Sequence, residues 1–536
     1  VIAQPGDDLQ KLVDQFGTVS LAPGVFPMQR PLVLNNPVVV TSDGHATILF
    51  DQAASEPPWS AAIKVHCGNS MLSGFKVRFA GPVRWNTSIS YGPAVIGMTD
   101  NLDAAHDENK ENITFTHLDL EGPPVADASR WVEAPRLMRL IRSRSGLIAD
   151  NVLRGGPIEF LQGPWRILNN DFRGTIPGTF SHGVFIGHAT YDLVLQGNRA
   201  RDIGPSGKTW RLLVLSWQGY NDVVNQNSAI GLGSLEGDTI PWSNEPEIIL
   251  TEAYHIRYEG AVIDLGLGGR LLRVGQPQSI AGRTGDVVAI LDGSAAGEWR
   301  RISQAIDGST YLLDRPIPAD ATTVSIAQGF VDETFRDNKI DIRGGRKSFG
   351  LVFVGNHFGT QIIGNHLLGG ESACKLTACP SESPVMWGWT HAPYLGGVFE
   401  ANIIEDVERG GTLGVEHNPR YIKSNRGRTY MTMRMDKNVL RWSEPFLKRM
   451  ARAKSAPGPL TLGYPDSGDP GEFVVRAGQN VLEAPNDELY TPSMVVQAAR
   501  YNGQELIARD FRLPPATASE SPRGRAADKG SPVRPR

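Results

Sequence analysis

Two stretches of the chain gather residue types that can move protons. In SNEPEIILTEAYHIRYEG (residues 243–260), Glu247 and Glu252 flank the apolar run Ile248-Ile249-Leu250-Thr251. A pair of carboxyl groups is what glycoside hydrolysis needs, one as acid and one as base or nucleophile. The same two side chains would be inert if solvated or bound to Arg257. Residues 386–430 are richer, with Trp387, Trp389, His391, Glu416, His417, Arg426 and Arg428. Indole faces suit the C–H groups of a pyranose. His391, Glu416 and His417 could transfer protons, and Arg426 or Arg428 could hold an acidic group. His182 and His188 bracket a third strand, Gly183–Gly187, and are placed to reach the same surface. HEXXH, paired CxxC and EF-hand spacings are absent, so no metal is expected on motif grounds, and calcium held by carboxylates is left open.

A repeat positions these groups. GLVFVGNHFGTQIIGN runs from Gly350 to Asn365: an apolar strand, a turn, a second short strand, then Gly-Asn. The frame recurs at Gly183–Asn198, Leu212–Asn227, Trp387–Asn402 and Gly410–Asn425, each closing on Asn fifteen residues after its first position. Short strands at a fixed period, with no helical period between them, predict a parallel β-solenoid. Asn suits the turns because it tolerates left-handed backbone angles, and stacked copies can form an amide ladder. The intervals 198 to 227 and 402 to 425 are each read as one coil. In this frame Glu247, Trp389, His391 and Glu416 point outward.

On these frames the sequence resembles the pectin-lyase-like superfamily of right-handed parallel β-helices, over roughly Ile113 to Trp442. The expected fold class is all-β, a right-handed parallel β-helix with an inserted small β domain. Residues 1–261 read as an N-terminal cap and coils, the cap being a helix with Leu9, Leu12, Val13 and Phe16 on one face. Residues 262–330 lose the frame and read as a small antiparallel barrel or sandwich. Coils resume over 331–445, followed by a C-terminal β cap (446–512) and a polar tail (513–536) expected to be disordered.

Composition narrows the partners. Net charge is −4 and 21% of residues are charged, so nothing electrostatic points to nucleic acid or an anionic membrane. No stretch approaches the ~20 apolar residues of a spanning helix. Of Cys67, Cys374 and Cys379, the last two are close enough to staple a loop, or to remain free thiols. A chain beginning at Val1 suggests a removed signal peptide and a secreted or periplasmic location.

The resemblance implies a polysaccharide or oligosaccharide substrate lying in an outer groove, because the bore of a solenoid is filled by side chains. The carboxylate count favours a glycoside hydrolase. A polysaccharide lyase acting on a uronate through His391 or His417, and a non-catalytic adhesin-like β-helix, are the alternatives. Oligomeric state is not legible.

Overall fold

The computed structural model describes residues 1–89, 92–98, 110–123, 135–141, 143, 145–174, 180–181, 183–201, 208–209, 211–231, 247–253, 256–276, 281–343, 348–378, 393–415, 431–455, 457–463, 473–483, 496–498, 500–501 and 504–505. The chain winds as a right-handed parallel β-helix, the hand that right-twisted strands impose on parallel crossovers. Each coil supplies three short strands, as in Ile158–Leu161, Trp165–Leu168 and Asp171–Arg173. The first two strands of each coil join a 29-stranded sheet that bends round a corner, and the third joins a 13-stranded sheet. Along the first face, Ile158–Leu161, Phe185–Tyr191, Leu213–Tyr220, Glu247–Ala253, Phe349–Gly355, Ser372–Ala378 and Arg409–Val415 pair in parallel, each with the next. Alternate residues fill the bore: Phe160, Leu215, Phe353 and Leu376 are fully buried on one row. Cys374 also points into this core as a free thiol, and Cys379 lies outside the described residues.

The helix Leu9–Gln15 is capped by the Asp8 side chain and buries Leu9 and Val13 against the first coils. A solenoid end needs such a plug because its last apolar layer has no neighbour. At the other end the winding does not stop near Trp442. Strands Gly458–Gly463, Phe473–Gly478, Val481–Glu483 and Val496–Ala498 extend the same ladders, past the helix Glu444–Arg452.

The asparagine ladder is present and its chemistry differs from expectation in one respect. Asn151, Asn170, Asn198, Asn227, Asn338, Asn365, Asn402, Asn438 and Asn480 stack, each Nδ2 donating to the next Oδ1. The rung after Asn402 is Asn438, 36 residues on, so the interval to Asn425 is not one coil. The ladder residues themselves do not take the left-handed conformation. The residue before each rung does, including Asp150, Gln226, Asp337, Ala401 and Lys437, all with φ between 53° and 57°. Asn is therefore selected for its amide. From Asn170 onward each carbonyl accepts two N–H groups from the preceding rung, as Asn338 does from Asn227 N and Nδ2, both at 3.0 Å. Asn338→Ala orphans those buried donors. The expected cost is on the order of 2–4 kcal/mol, read as a lower urea midpoint; an unchanged midpoint would mean the ladder contributes no stability at this rung.

The insertion is a closed antiparallel barrel built from Ile256–Gly266, Leu271–Val274, Thr310–Leu313, Trp299–Ala305, Val287–Ile290 and Thr323–Ala327. It has its own core, with Leu272, Val288, Ile290, Tyr311 and Ile326. It leaves the coil after Ala253 and returns at Phe330–Val331, which pairs with Gly219-Tyr220. Val287, Ala289 and Leu291 of the barrel pack on Val331, Phe358 and Leu395 of the solenoid.

Inside the bore beside that corner lie two carboxyl groups, Asp222 and Glu333, both with no solvent exposure. A Cβ on Gly219 would lie 2.3 Å from Glu333 Oε1 and 2.7 Å from Asp222 Oδ2, so both oxygens converge on the space that the glycine leaves. Asp222 accepts from Thr190 Oγ1 and from the Leu193 N–H. As a carboxylate Glu333 finds no donor. Protonated, it donates to Asp222. Burial, then the charge of Asp222, push Glu333 well above the usual range, and burial raises Asp222 to about 7.

Candidate active site

Outward positions of the first face form two rows. One runs Lys64, Gly97, Arg139, Glu159, Ile186, Val214, Leu250, Val352, Lys375. The other runs Leu161, His188, Ser216, Glu252, Val354, Thr377. Rows step by the inter-strand spacing of ~4.8 Å, so side chains on successive coils meet directly. The apolar members Ile186, Val214, Leu250, Val352 and Val354 form a buried cluster on this outer side.

Beside that cluster runs a hydrogen-bonded chain. Arg136 Nε meets Glu159 Oε2 at 2.6 Å, with about 1% of each side chain exposed. Glu159 Oε1 is 3.1 Å from His188 Nε2, and His188 Nδ1 is 2.6 Å from Ser216 Oγ. Burial by itself would raise Glu159. The Arg136 charge, together with the hydrogen bond from His188, outweighs it and holds the carboxyl below its ordinary value. An anionic Glu159 accepts only, so His188 must carry its proton on Nε2. In the neutral ring the Nδ1 lone pair then faces the Ser216 hydroxyl. Orienting carboxylate, base and a hydroxyl in reach are thus arranged in that order along one line.

A bulge presents this chain to solvent. His188 pairs with Ser216 and Thr190 with Gly219, so Ala189 faces both Trp217 and Gln218. Trp217 takes φ 80° and is 40% exposed. Its ring lies 4.9 Å from the His188 ring, inclined by 35°. Bulges re-aim side chains in this way, and a non-glycine residue at positive φ stores strain of order 1–3 kcal/mol.

The sequence-predicted residues fare unevenly. His188 lies at the centre of the chain. Glu252 stands next to Ser216 in register, within the strand Glu247–Ala253 and half-buried. Glu247 is in an ion pair: Arg211 Nε donates to its Oε2 at 3.0 Å and Nη2 makes a second contact. Arg257, the other cation considered for it, instead faces Asp286 in the barrel at 3.4 Å. Trp387, Trp389, His391, Glu416, His417, Arg426, Arg428 and His182 lie outside the described residues. Among the described residues no group of three His, Cys, Asp or Glu side chains is arranged to hold a metal ion.

Arg136, Glu159, Ser216 and Trp217 were not anticipated. Glu159 had a signal, an acid at the centre of the apolar strand Ile158–Leu161. Ser216 was hidden by the bulge. Gly183 lies fifteen residues before Asn198, but its register partner Arg211 lies sixteen before Asn227, so a fixed frame aligns Trp217 with His188.

This outer face belongs to a right-handed parallel β-helix, defined by the parallel ladders and stacked asparagines above. No family model matches the chain, and no curated protein sequence is similar to it. Similar solved structures include a periplasmic alginate epimerase, 7% identical over 90% of this chain and 84% of the other, with a TM-score of 0.38. The catalytic domain of an α-1,3-glucanase of glycoside hydrolase family 87, crystallised with tetrasaccharides, is 10% identical (82% and 68% covered, TM-score 0.34). The tailspike of the Escherichia coli bacteriophage HK620 is 11% identical (94% and 76% covered, TM-score 0.37). Among the described residues no helix is long and apolar enough to cross a membrane.

Proposed function

We propose that the protein is an exported carbohydrate-active hydrolase. Its polysaccharide substrate lies along the outer face of the first sheet, over His188, Ser216 and Trp217. The observation that carries this reading is the line Arg136–Glu159–His188–Ser216, which ends beside an exposed indole. The indole supplies a stacking surface for a sugar ring. The line supplies an imidazole oriented by Glu159 for proton transfer. Glu252 is the carboxylate best placed to assist, being beside Ser216, whereas Glu247 is engaged by Arg211.

An eliminative reading has one observation in its favour. Arg139 and Lys375 lie on the outward row that carries Glu159, where cations would suit the carboxylate of a uronate. Product analysis separates the two. Neutral, acidic and acylated glycans are incubated with the full chain and followed by mass spectrometry and ultraviolet absorbance. Hydrolysis is expected: the mass of one water gained per bond broken and no new chromophore. Unsaturated products without added water would replace the hydrolase reading with the lyase.

A further inference from the structure

We infer that Ser216 is a catalytic nucleophile and that the bond hydrolysed is an O-acyl ester on the polysaccharide. This rests on the outer-face site proposed above and names its scissile bond.

The geometry is that of a serine hydrolase relay. A serine hydroxyl contacts one imidazole nitrogen at 2.6 Å, and the other nitrogen contacts a carboxylate at 3.1 Å. Such relays are recognised by roles and distances, not by fold. Three details go beyond a chance polar contact. Glu159 is fully buried, a costly position for a carboxylate that merely filled space. Arg136 holds the carboxylate from behind, so the imidazole meets an anion fixed in place. The hydroxyl sits where the chain bulges, immediately before a residue at φ 80°, which turns Ser216 and Trp217 toward solvent.

Two-carboxylate glycosidase chemistry fits these groups poorly. It needs a protonated carboxyl at the scissile oxygen. Glu159 is held as an anion and Glu247 is paired with Arg211; of the carboxyls pushed upward, Asp222 and Glu333 face the sealed bore, Asp286 faces Arg257 in the barrel and Asp332 lies on the turn after Phe330–Val331. Acyl transfer needs only a nucleophile and a base able to give the proton back.

The steps balance. Ser216 Oγ attacks the acyl carbonyl carbon and its proton passes to His188 Nδ1. Glu159 stabilises the imidazolium through Nε2–H. The tetrahedral adduct expels the sugar oxygen, which takes the proton from Nδ1 and leaves as a free hydroxyl. Water then attacks the acyl-serine, giving its proton to Nδ1, and that proton returns to Ser216 Oγ as the carboxylic acid departs. The sum is ester plus water giving alcohol plus acid. Trp217 would bear on the sugar ring carrying the ester.

The test uses the full chain with 4-nitrophenyl acetate and acetylated xylan as substrates and a fluorophosphonate as covalent probe. Acetate release from both is expected, together with a phosphonyl adduct mapped to Ser216. Ser216→Ala should lose the adduct and lower acetate release by roughly 10³-fold or more. Glu159→Gln should depress kcat with KM little changed and alter its pH profile, as expected of a positioning residue. Undiminished acetate release by Ser216→Ala, or no adduct at Ser216, overturns the inference. Glycosidic cleavage of deacetylated glycan that survives Ser216→Ala also overturns it while leaving the hydrolase reading standing. An absence of any product from any glycan removes both.

Discussion

Replacing His188 by glutamine is expected to lower turnover by on the order of 10²–10⁴, the usual range for losing a general base. KM and the thermal midpoint should change little. The side chain is 14% exposed and its ring is wedged between Glu159 and Ser216. Glutamine can still donate an N–H to Glu159, so the buried carboxylate keeps a partner, but an amide cannot accept a proton. Retained turnover would remove His188 from the mechanism, whichever bond is broken. Glu159→Gln makes a complementary case. Its amide nitrogen can donate to Nε2, which would force the proton onto Nδ1 and point a donor at Ser216. Activity should fall for want of the right tautomer. Stability should fall too, because the buried Arg136 guanidinium would lose the carboxylate charge at its Nε. The two losses are separable, since His188→Gln shows the first without the second.

The other large effect concerns stability and pH. Asp222 is raised from 3.8 to about 7, and Glu333 well above its ordinary value. Their folded pKa values thus exceed the unfolded ones. The contribution of such a group is complete below the unfolded pKa and is lost as pH rises through the folded one. Stability should therefore decline from about pH 4 to about pH 7 on account of Asp222, and continue to decline above that on account of Glu333. At about 1.4 kcal/mol per unit, the Asp222 part alone is on the order of 4 kcal/mol. Glu333→Gln keeps the shape, supplies an N–H to Asp222 and removes the second charge. The variant should unfold at higher urea than the parent at pH 8, with the difference shrinking toward pH 4. Parallel urea midpoints at both pH values would show that the carboxyls do not share a proton.

The fold was legible because the solenoid repeats one local rule many times. Apolar alternation in Gly350–Gly355, Gly183–Gly187 and their relatives sets which face is buried, and an Asn at each turn gives its position in the coil. The antiparallel insertion showed as a gap in that rule, since its strands satisfy a different core. The helical plug at Leu9–Gln15 was legible from its spacing of apolar residues. What a run of sequence dictates, by burial and backbone hydrogen bonding within one coil, it dictated here.

The site was not legible in the same way, because its members come from successive coils and depend on register. Glu159, His188 and Ser216 are spaced 29 and 28 residues apart. Which of them meet depends on where each coil gains or loses a residue. One extra residue at Trp217-Gln218 moved Ser216 opposite His188 and aimed the indole outward. Glu247 and Glu252 looked like a catalytic pair because they flank one strand, yet Arg211 on the preceding coil engages the first and Ser216 adjoins the second. Composition and periodicity determined that this chain coils, which faces it buries and where it is interrupted. Only the stacking of coils decided which charges neutralise one another and which nitrogen of His188 is left to accept a proton, because side chains about 4.8 Å apart across strands interact regardless of the length of chain between them.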